Sequence, residues 1–235
     1  SAGGVRDHVL GATLANGRGQ VLTFGGQVMK NVAGYDVSRA LAGSMGTLGV
    51  ICEVSLKVLP LPVATETIRF ECDQAEALKR LNAWGGQPLP ITASAWWSGM
   101  LVLRLAGARA AVDTACTALG GESIDAPLAA AFWRGLRDHG DEYFATAAKA
   151  VDQGAALWRL SLPCAAPPIA LQGEQLIEWG GAQRWLVSRA DAAMVREAAD
   201  KAGGHATLLR AKDRSAGAFQ PLPAATMRIQ TELMN

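Results

Sequence analysis

The chain has 235 residues, half of them hydrophobic, which is enough for one large domain or two small ones around a sizeable core. Its 22 basic and 21 acidic residues are scattered without runs and give a formal charge of +1, which argues against nucleic acid or an anionic membrane surface as a partner. No apolar run reaches the ~18 residues that a membrane span requires, so we expect no membrane span and a cytoplasmic location.

The cysteines and histidines do not form a recognisable metal motif. The four cysteines are far apart and contain no C-x-x-C pair, and none of the three histidines lies at ligand spacing from another histidine or a cysteine. His139-Gly140-Asp141 is too short a pattern to supply a ligand set. We therefore predict no metal site and no iron–sulfur cluster in this chain.

The first 42 residues predict a hairpin followed by a short helix. Two β-rich runs, Val9 to Leu14 and Gln20 to Phe24, flank Asn16-Gly17, whose residues both accept positive φ. The helix is predicted from Asp36 to Ala42, with Asp36 as its N-terminal cap and Gly43 just beyond its end.

A glycine recurs every third residue in Gly43-Ser44-Met45-Gly46-Thr47-Leu48-Gly49-Val50. Because glycine lacks a Cβ and tolerates positive φ, backbone N–H groups of such a loop can reach a phosphate or the edge of a flat heterocycle. A dinucleotide fingerprint or a P-loop would open a helix, whereas this loop leads into a strand. The spacing alone also fits a tight turn that serves only packing.

The strand after this loop is predicted from Val50 to Leu59. Val50, Cys52, Val54, Leu56 and Val58 alternate with their neighbours and should share one apolar face. Pro60-Leu61-Pro62 ends the strand and marks a domain boundary.

Beyond Val63, strands and helices alternate in two passes of the order β-α-β-β-α-β, separated by a helix-leaning insert from Pro127 to Ala150. The predicted elements are strands Thr67–Phe70, Ile91–Trp97, Leu101–Leu105, Leu157–Leu162, Gln175–Trp179, Arg184–Val187 and Ala206–Leu209, and helices Gln74–Trp84, Arg109–Leu119, Ala190–Ala202 and Ala224–Met234. Two ferredoxin-like units of this kind would merge into one antiparallel sheet backed by helices, an α+β fold.

Three segments carry a resemblance to a known family: Val5 to Gly11, Lys30 to Asp36, and Gly43 to Val50. Together they resemble the second half of the FAD-binding domain of the vanillyl-alcohol-oxidase (PCMH-type) flavoproteins. Within that superfamily the closest resemblance is to the FAD-binding E subunits of bacterial three-subunit glycolate oxidases. The resemblance implies that residues 1–62 are the second subdomain of an FAD-binding domain and residues 63–235 a ferredoxin-like cap.

The resemblance also implies which residues meet the cofactor. It places Gly46, Thr47, Gly49 and Val50 beside the FAD, with Gly3, Gly4, Val5 and Val9 as further backbone contacts. Lys30, Asn31 and Tyr35 match a loop that approaches the flavin. Met45 stands where the catalytic D subunit carries glutamate, which favours the E type.

The activity implied is that of an FAD-dependent 2-hydroxy-acid oxidase, in which hydride passes to the flavin and electrons move on to partner subunits. The implied partners are a catalytic flavin subunit, an iron–sulfur subunit and a small 2-hydroxy acid, with the inner membrane reached only through those subunits. The first FAD subdomain has no counterpart in these 235 residues. We therefore expect the chain alone to be inactive, and we assign no catalytic residue.

Two other functions stay open. The chain could be a non-catalytic assembly subunit with a degenerate FAD fold, in which one or two of the seven tryptophans, all beyond residue 63, serve an interface. It could also be a self-sufficient FAD oxidase, which the absence of a catalytic motif disfavours.

Overall fold

The computed structural model describes residues 3–26 and 35–234. They form two compact units, of which the first comprises residues 3–26, 35–61 and 222–234 and the second comprises residues 62–221. The prediction places the boundary at Pro62 and residues 222–235 in the second domain, whereas the described residues 222–234 group with the first unit. The assignment of the units as part of an FAD-binding domain and as a cap stays a prediction.

The first unit is built on a three-stranded antiparallel sheet with the order β2-β1-β3. Its elements are β1 (Val9–Ala15), β2 (Val21–Gly25), α1 (Val37–Leu41), β3 (Val50–Leu56) and the C-terminal α7 (Ala224–Met234). Ala12 and Leu14 of β1 pack with Leu41 of α1 in a small core.

The predicted hairpin is confirmed by the pairing of β1 with β2. Its turn is held by Asn16, whose Oδ1 accepts from the N–H groups of Arg18 at 2.9 Å and Gln20 at 3.0 Å. Among the turn residues, positive φ falls on Gly19 rather than on Asn16 and Gly17, because the chain turns over more than two residues. The predicted helix cap is also confirmed, since the Asp36 side chain accepts from Arg39 N.

The expected single apolar face of β3 is wrong. Thr13 lies opposite Glu53 and Leu14 opposite Ile51, so Cys52 is an extra residue in a β-bulge. A bulge inserts one residue into one strand and reverses the alternation beyond it. Val50 therefore does not share a face with Val54.

The second unit carries an eight-stranded sheet with the order β11-β8-β10-β9-β5-β6-β4-β7. Its strands are β4 (Ala64–Glu71), β5 (Ile91–Trp97), β6 (Met100–Gly107), β7 (Glu122–Ser123), β8 (Ala156–Ser161), β9 (Glu174–Glu178), β10 (Gln183–Ser188) and β11 (His205–Arg210), and its helices are α2 (Gln74–Gly85), α3 (Arg109–Leu119), α4 (Ala126–Asp138), α5 (Glu142–Asp152) and α6 (Ala192–Lys201).

Two four-stranded halves join in this sheet through antiparallel pairing of β5 with β9, where Ala95 lies opposite Glu178 and Trp96 opposite Ile177. The expectation of one antiparallel sheet backed by helices, and with it the α+β fold class, is confirmed. The second half differs from the prediction in one respect. Residues 163–173, between β8 and β9, form a loop where the first half has helix α2.

Helices cover both faces of this sheet. On one face Leu101, Leu103 and Leu105 of β6 pack among residues of α2 and α3, while α6 covers the other half through Val195 and Ala199. On the opposite face α4 and α5 contribute Leu136, Tyr143, Phe144 and Ala147 to a third core. Among the described helices, none has the length and apolar character that a bilayer crossing demands.

Candidate cofactor site

The eight residues predicted to meet FAD all belong to the first unit, and the sheet separates them into two groups. Val9 lies opposite Leu56 at one end of the β1–β3 pair, and Val50 lies opposite Ala15 at the other end. Six residue rises of about 3.4 Å put these ends roughly 20 Å apart. The site therefore consists of an N-terminal group and a glycine-turn group rather than one cluster.

The N-terminal group, Gly3, Gly4, Val5 and Val9, leads into β1 through a short 3-10 turn. The N–H of Gly4 donates to Asp7 Oδ2 at 2.8 Å, and the Val9 carbonyl accepts from Arg39 Nε at 3.5 Å. These backbone groups are thus already engaged within the chain. The side chain of Val5 is exposed.

The glycine-turn group occupies the loop between α1 and β3, residues 42–49. Within it the N–H of Thr47 donates to Ser44 O at 3.0 Å, and the N–H of Gly49 donates to Gly46 O at 3.3 Å. The N–H groups of Met45, Gly46 and Leu48 have no acceptor among the described residues. Thr47 Oγ1 donates to Ser44 O at 2.7 Å.

The glycines of this turn differ in what surrounds them. A Cβ at Gly49, where φ is +142°, would lie 2.5 Å from the Ala15 carbonyl oxygen and 2.9 Å from Leu14 Cδ1. A Cβ at Gly46, where φ is +79°, would meet no atom within 4 Å. Gly49 is therefore required by the packing of the turn on β1, while Gly46 leaves its surroundings open to a ligand.

The donor set of the turn fits an FAD contact of the kind that the resemblance implies. Three N–H groups within four residues that lack an acceptor among the described residues can donate to a phosphate or to the flavin ring edge. The exposed Val50 side chain, with 69% of its surface accessible, adds an apolar neighbour for a flat ring. Tyr35 is 95% exposed, and Lys30 and Asn31 lie outside the described residues.

A buried polar cluster in the second unit was not predicted. Glu178 accepts from Trp185 Nε1 at 2.6 Å and from Gln183 Nε2 at 3.2 Å, and burial raises the pKa of its carboxyl group. His139 stacks on Phe144 with ring centroids 4.0 Å apart. In sequence the only signal was the alternation of Glu174 to Glu178, which gives no hint that a carboxylate is buried.

His139-Gly140-Asp141 has a structural role in this cluster. His139 ends α4 in the left-handed conformation, with φ of 53°, and Asp141 caps α5 by accepting from Phe144 N at 3.0 Å. Among the described residues no group of three histidine, cysteine or acidic side chains is placed to hold a metal ion.

Comparison with known proteins identifies relatives of this chain. It is 44% identical over 232 residues to "Glycolate oxidase subunit GlcE" of Escherichia coli (strain K12), a match that covers 99% of this chain and 62% of that protein. It is 39% identical over 66 residues to "Glycolate oxidase subunit GlcD" of Bacillus subtilis (strain 168), covering 28% of this chain and 14% of that one. The chain thus spans less than two thirds of the length of these relatives.

Solved structures agree on the fold. A crystal structure of alkyldihydroxyacetonephosphate synthase has a TM-score of 0.52 at 15% identity, covering 98% of this chain and 52% of that one. A second crystal form of the same enzyme gives a TM-score of 0.53 at 13% identity, and the match covers 84% of this chain and 50% of that one. No protein-family model matches the chain. The match to nearly every residue of this chain identifies it as a homologue of the glycolate oxidase subunit GlcE.

Proposed function

We propose that this chain is the FAD-binding part of a glycolate or related 2-hydroxy-acid oxidase subunit, and that it contacts the cofactor through the backbone of the turn at residues 42–49. The observation that carries the proposal is that three N–H groups of the turn, of Met45, Gly46 and Leu48, have no acceptor among the described residues. The similarity to GlcE, a glycolate oxidase subunit, supports the reaction class, and the family resemblance of the glycine turn supports the cofactor.

When bound, FAD supplies the acceptor for a hydride from the α-carbon of a small 2-hydroxy acid, and the protein contributes binding and orientation. The N–H groups of Met45 and Gly46 would hold acceptor atoms of the cofactor, and Val50 would line its ring. Electrons would leave through partners, namely a catalytic flavin subunit and an iron–sulfur subunit at the inner membrane. The 235-residue chain alone is expected to be inactive.

The test compares FAD binding by two variants that carry the same glycine-to-aspartate substitution, one in the glycine turn and one in the hairpin. Gly46 and Gly19 both have positive φ, of +79° and +73°, and a Cβ at either position would meet no atom within 4 Å. Aspartate tolerates this conformation, so Gly46→Asp and Gly19→Asp introduce equal strain and equal charge. Flavin fluorescence should report a loss of FAD affinity of roughly ten-fold or more in Gly46→Asp, because a carboxylate replaces open space beside the donors.

Both variants are to be measured in this chain and in a version extended to the length of GlcE. Gly19→Asp should bind FAD as the unmodified protein does, since Gly19 lies in the β1–β2 turn, which contains none of the residues predicted to meet FAD. Equal FAD affinity of the two variants would contradict the assignment of the turn, and absence of FAD binding by the extended protein would contradict the flavin function.

A second function, an assembly subunit that holds no flavin, is favoured by one observation. Trp179 is 56% exposed, whereas Trp158 and Trp185 are buried. Trp179 directly follows β9 and has a positive φ of 53°. Under this alternative, Trp179→Ala would weaken co-purification with partner subunits while the extended chain remains colourless.

A further inference from the structure

Strand β11 lies at one end of the second unit's sheet. It pairs with β8, from His205 opposite Ser161 to Arg210 opposite Leu157, and no strand among the described residues lies on its other side. The free side of an edge strand presents backbone N–H and C=O groups that can pair with a strand of another chain. At the opposite end of the sheet, β7 has only two residues, so β11 is the edge where such pairing would be most extensive.

The free side of β11 is covered by residues 217–220, which we name the edge segment. The N–H of Leu208 donates to the Ala218 carbonyl at 2.8 Å, and the N–H of Ala206 donates to Gln220 Oε1 at 3.0 Å. These two N–H groups therefore point away from β8. The edge segment occupies the place of a further strand, although it forms no strand itself.

Arg196 of α6 holds the edge segment from the helix side. Its Nη2 donates to the carbonyls of Gly217 at 2.8 Å and Phe219 at 3.1 Å. Its guanidinium lies 5.8 Å from the centroid of the buried Trp158 ring, which fixes the direction of the side chain. Two side chains, of Arg196 and Gln220, thus keep the segment against the edge.

The edge segment pairs with β11 less completely than a strand would. In an antiparallel strand the N–H and C=O of one residue point to the same side, so the Ala206 carbonyl faces the edge as well. No N–H group of residues 217–220 donates to this carbonyl. A strand of another chain would use both the donors and the acceptors of the edge, and would therefore compete with the segment.

We propose that the edge segment prevents β11 from pairing with β11 of a second copy of this chain. In two copies related by a two-fold axis, Ala206 of one would lie opposite Leu208 of the other, and such a pair exchanges two hydrogen bonds. This pairing needs the same two N–H groups that the segment occupies, so the two arrangements exclude each other. The inference concerns the second unit alone and does not depend on the flavin.

The experiment is amide hydrogen exchange over a range of protein concentrations, on the unmodified protein and on the double variant Arg196→Met, Gln220→Ala. The first substitution removes the donor to the segment but keeps an apolar side chain over Trp158, and the second removes the acceptor of Ala206 N. In the dilute variant the Ala206 and Leu208 amides should exchange roughly ten-fold faster or more.

Raising the concentration of the double variant should slow both amides again, because association protects them by mass action. Light scattering should show the molar mass of the variant rising towards twice its dilute value over the same range. In the unmodified protein the exchange of the Ala206 and Leu208 amides should not depend on concentration.

The matched control is Arg189→Met, which also removes a bond from an arginine to a backbone carbonyl, that of Gln153, outside the edge segment. Exchange at Ala206 and Leu208 should be the same in this variant as in the unmodified protein at every concentration. Faster exchange equal to that of the double variant would indicate a general loosening of the unit and would contradict a specific role for the segment.

Two results for the double variant would overturn the proposal. Exchange at Ala206 and Leu208 that stays fast at high concentration would show that the uncovered edge does not pair. Unchanged exchange in the dilute variant would show that the two substituted side chains do not hold the segment. If the double variant does not fold, Gln220→Ala alone decides: Ala206 exchange that is faster and slows with concentration is expected, and a rate independent of concentration would contradict the proposal.

Discussion

The strands β3 and β6 have similar apolar sequences but very different surroundings. Leu101, Leu103 and Leu105 of β6 have no accessible surface, because α2 and α3 cover them. Val50 and Leu56 of β3 are 69% and 51% exposed. Among the described residues of the first unit, α1 and Leu48 pack on the sheet, and β3 is exposed along most of its length.

The helices of the second unit thus cover its apolar strand β6, whereas β3 of the first unit keeps apolar side chains exposed. Exposed apolar surface next to polar donors is typical of ligand and partner sites. The first unit also has a small core, of Ala12, Leu14 and Leu41, and few buried apolar contacts are a feature of regions that open locally. We expect amides of β1 to exchange with solvent faster than those of β6 and β8.

The largest expected effects come from two glycines in equivalent positions, one in each unit. Gly49 and Gly173 have φ of +142° and +141°, and a Cβ at either would clash with a carbonyl oxygen, of Ala15 and of Val187. Gly49→Ala and Gly173→Ala should each destabilise their own unit by about 3 kcal/mol or more. Hydrogen exchange should show the loss in β1 for the first variant and in β10 for the second. A variant that left its own strand unchanged would contradict the packing described.

The next largest effect is a difference in folding stability between alanine variants of a leucine in β6 and a leucine in β3. Leu103→Ala removes a fully buried side chain and should destabilise the second unit by about 3 kcal/mol. Leu56→Ala changes a side chain that is half exposed and should cost less than about 1 kcal/mol. Chemical denaturation of the two variants measures both losses in the free energy of unfolding. Equal losses would show that β3 is as well covered as β6, and would remove the contrast.

The smallest effect is a pH dependence of the second unit. Burial raises the pKa of Glu178 above its ordinary 4.5, so the folded state holds this proton more tightly than the unfolded state does. The stability that the protonated form contributes is complete below pH 4.5 and is lost as pH rises through the raised pKa. Glu178→Gln, which stays neutral, should therefore flatten the decline of stability above pH 4.5.

The other titratable residues near Glu178, namely Asp141 and His139, are unchanged in the variant and serve as the control for this prediction. Burial raises the pKa of Asp141 and lowers that of His139, and both residues are present in the variant as well. Denaturation midpoints between pH 4 and 8 should differ from those of the unmodified protein mainly above pH 4.5. Parallel midpoint curves would mean that Glu178 does not titrate differently in the two states.

The elements of the second unit could be predicted because its strands and helices carry strong local periodicity. Helix α3 is found at the predicted Arg109–Leu119, and β5 at the predicted Ile91–Trp97. The bulge at Cys52 could not be predicted, since it depends on which β1 residues pair with β3. Short β7 depends likewise on pairing with Ile68 and Arg69, distant in sequence.

Some features of the candidate site could also be predicted from the sequence, and others could not. The glycine spacing predicts a turn with exposed backbone, and the structure adds that Gly49 faces Leu14 while Gly46 faces open space. The partly buried carboxylate of Glu178 was not predicted, because its contacts come from Trp185 and Gln183 of the neighbouring strand β10.

The most direct test of the central claim is amide hydrogen exchange, with and without FAD, in the protein extended to the length of GlcE. Binding at the turn should slow exchange of the Met45, Gly46 and Leu48 amides roughly ten-fold or more, while the hairpin amides of Gly17 and Gly19 keep their rates. Bound FAD with unchanged exchange at Met45, Gly46 and Leu48 would contradict the claim that this turn holds the cofactor.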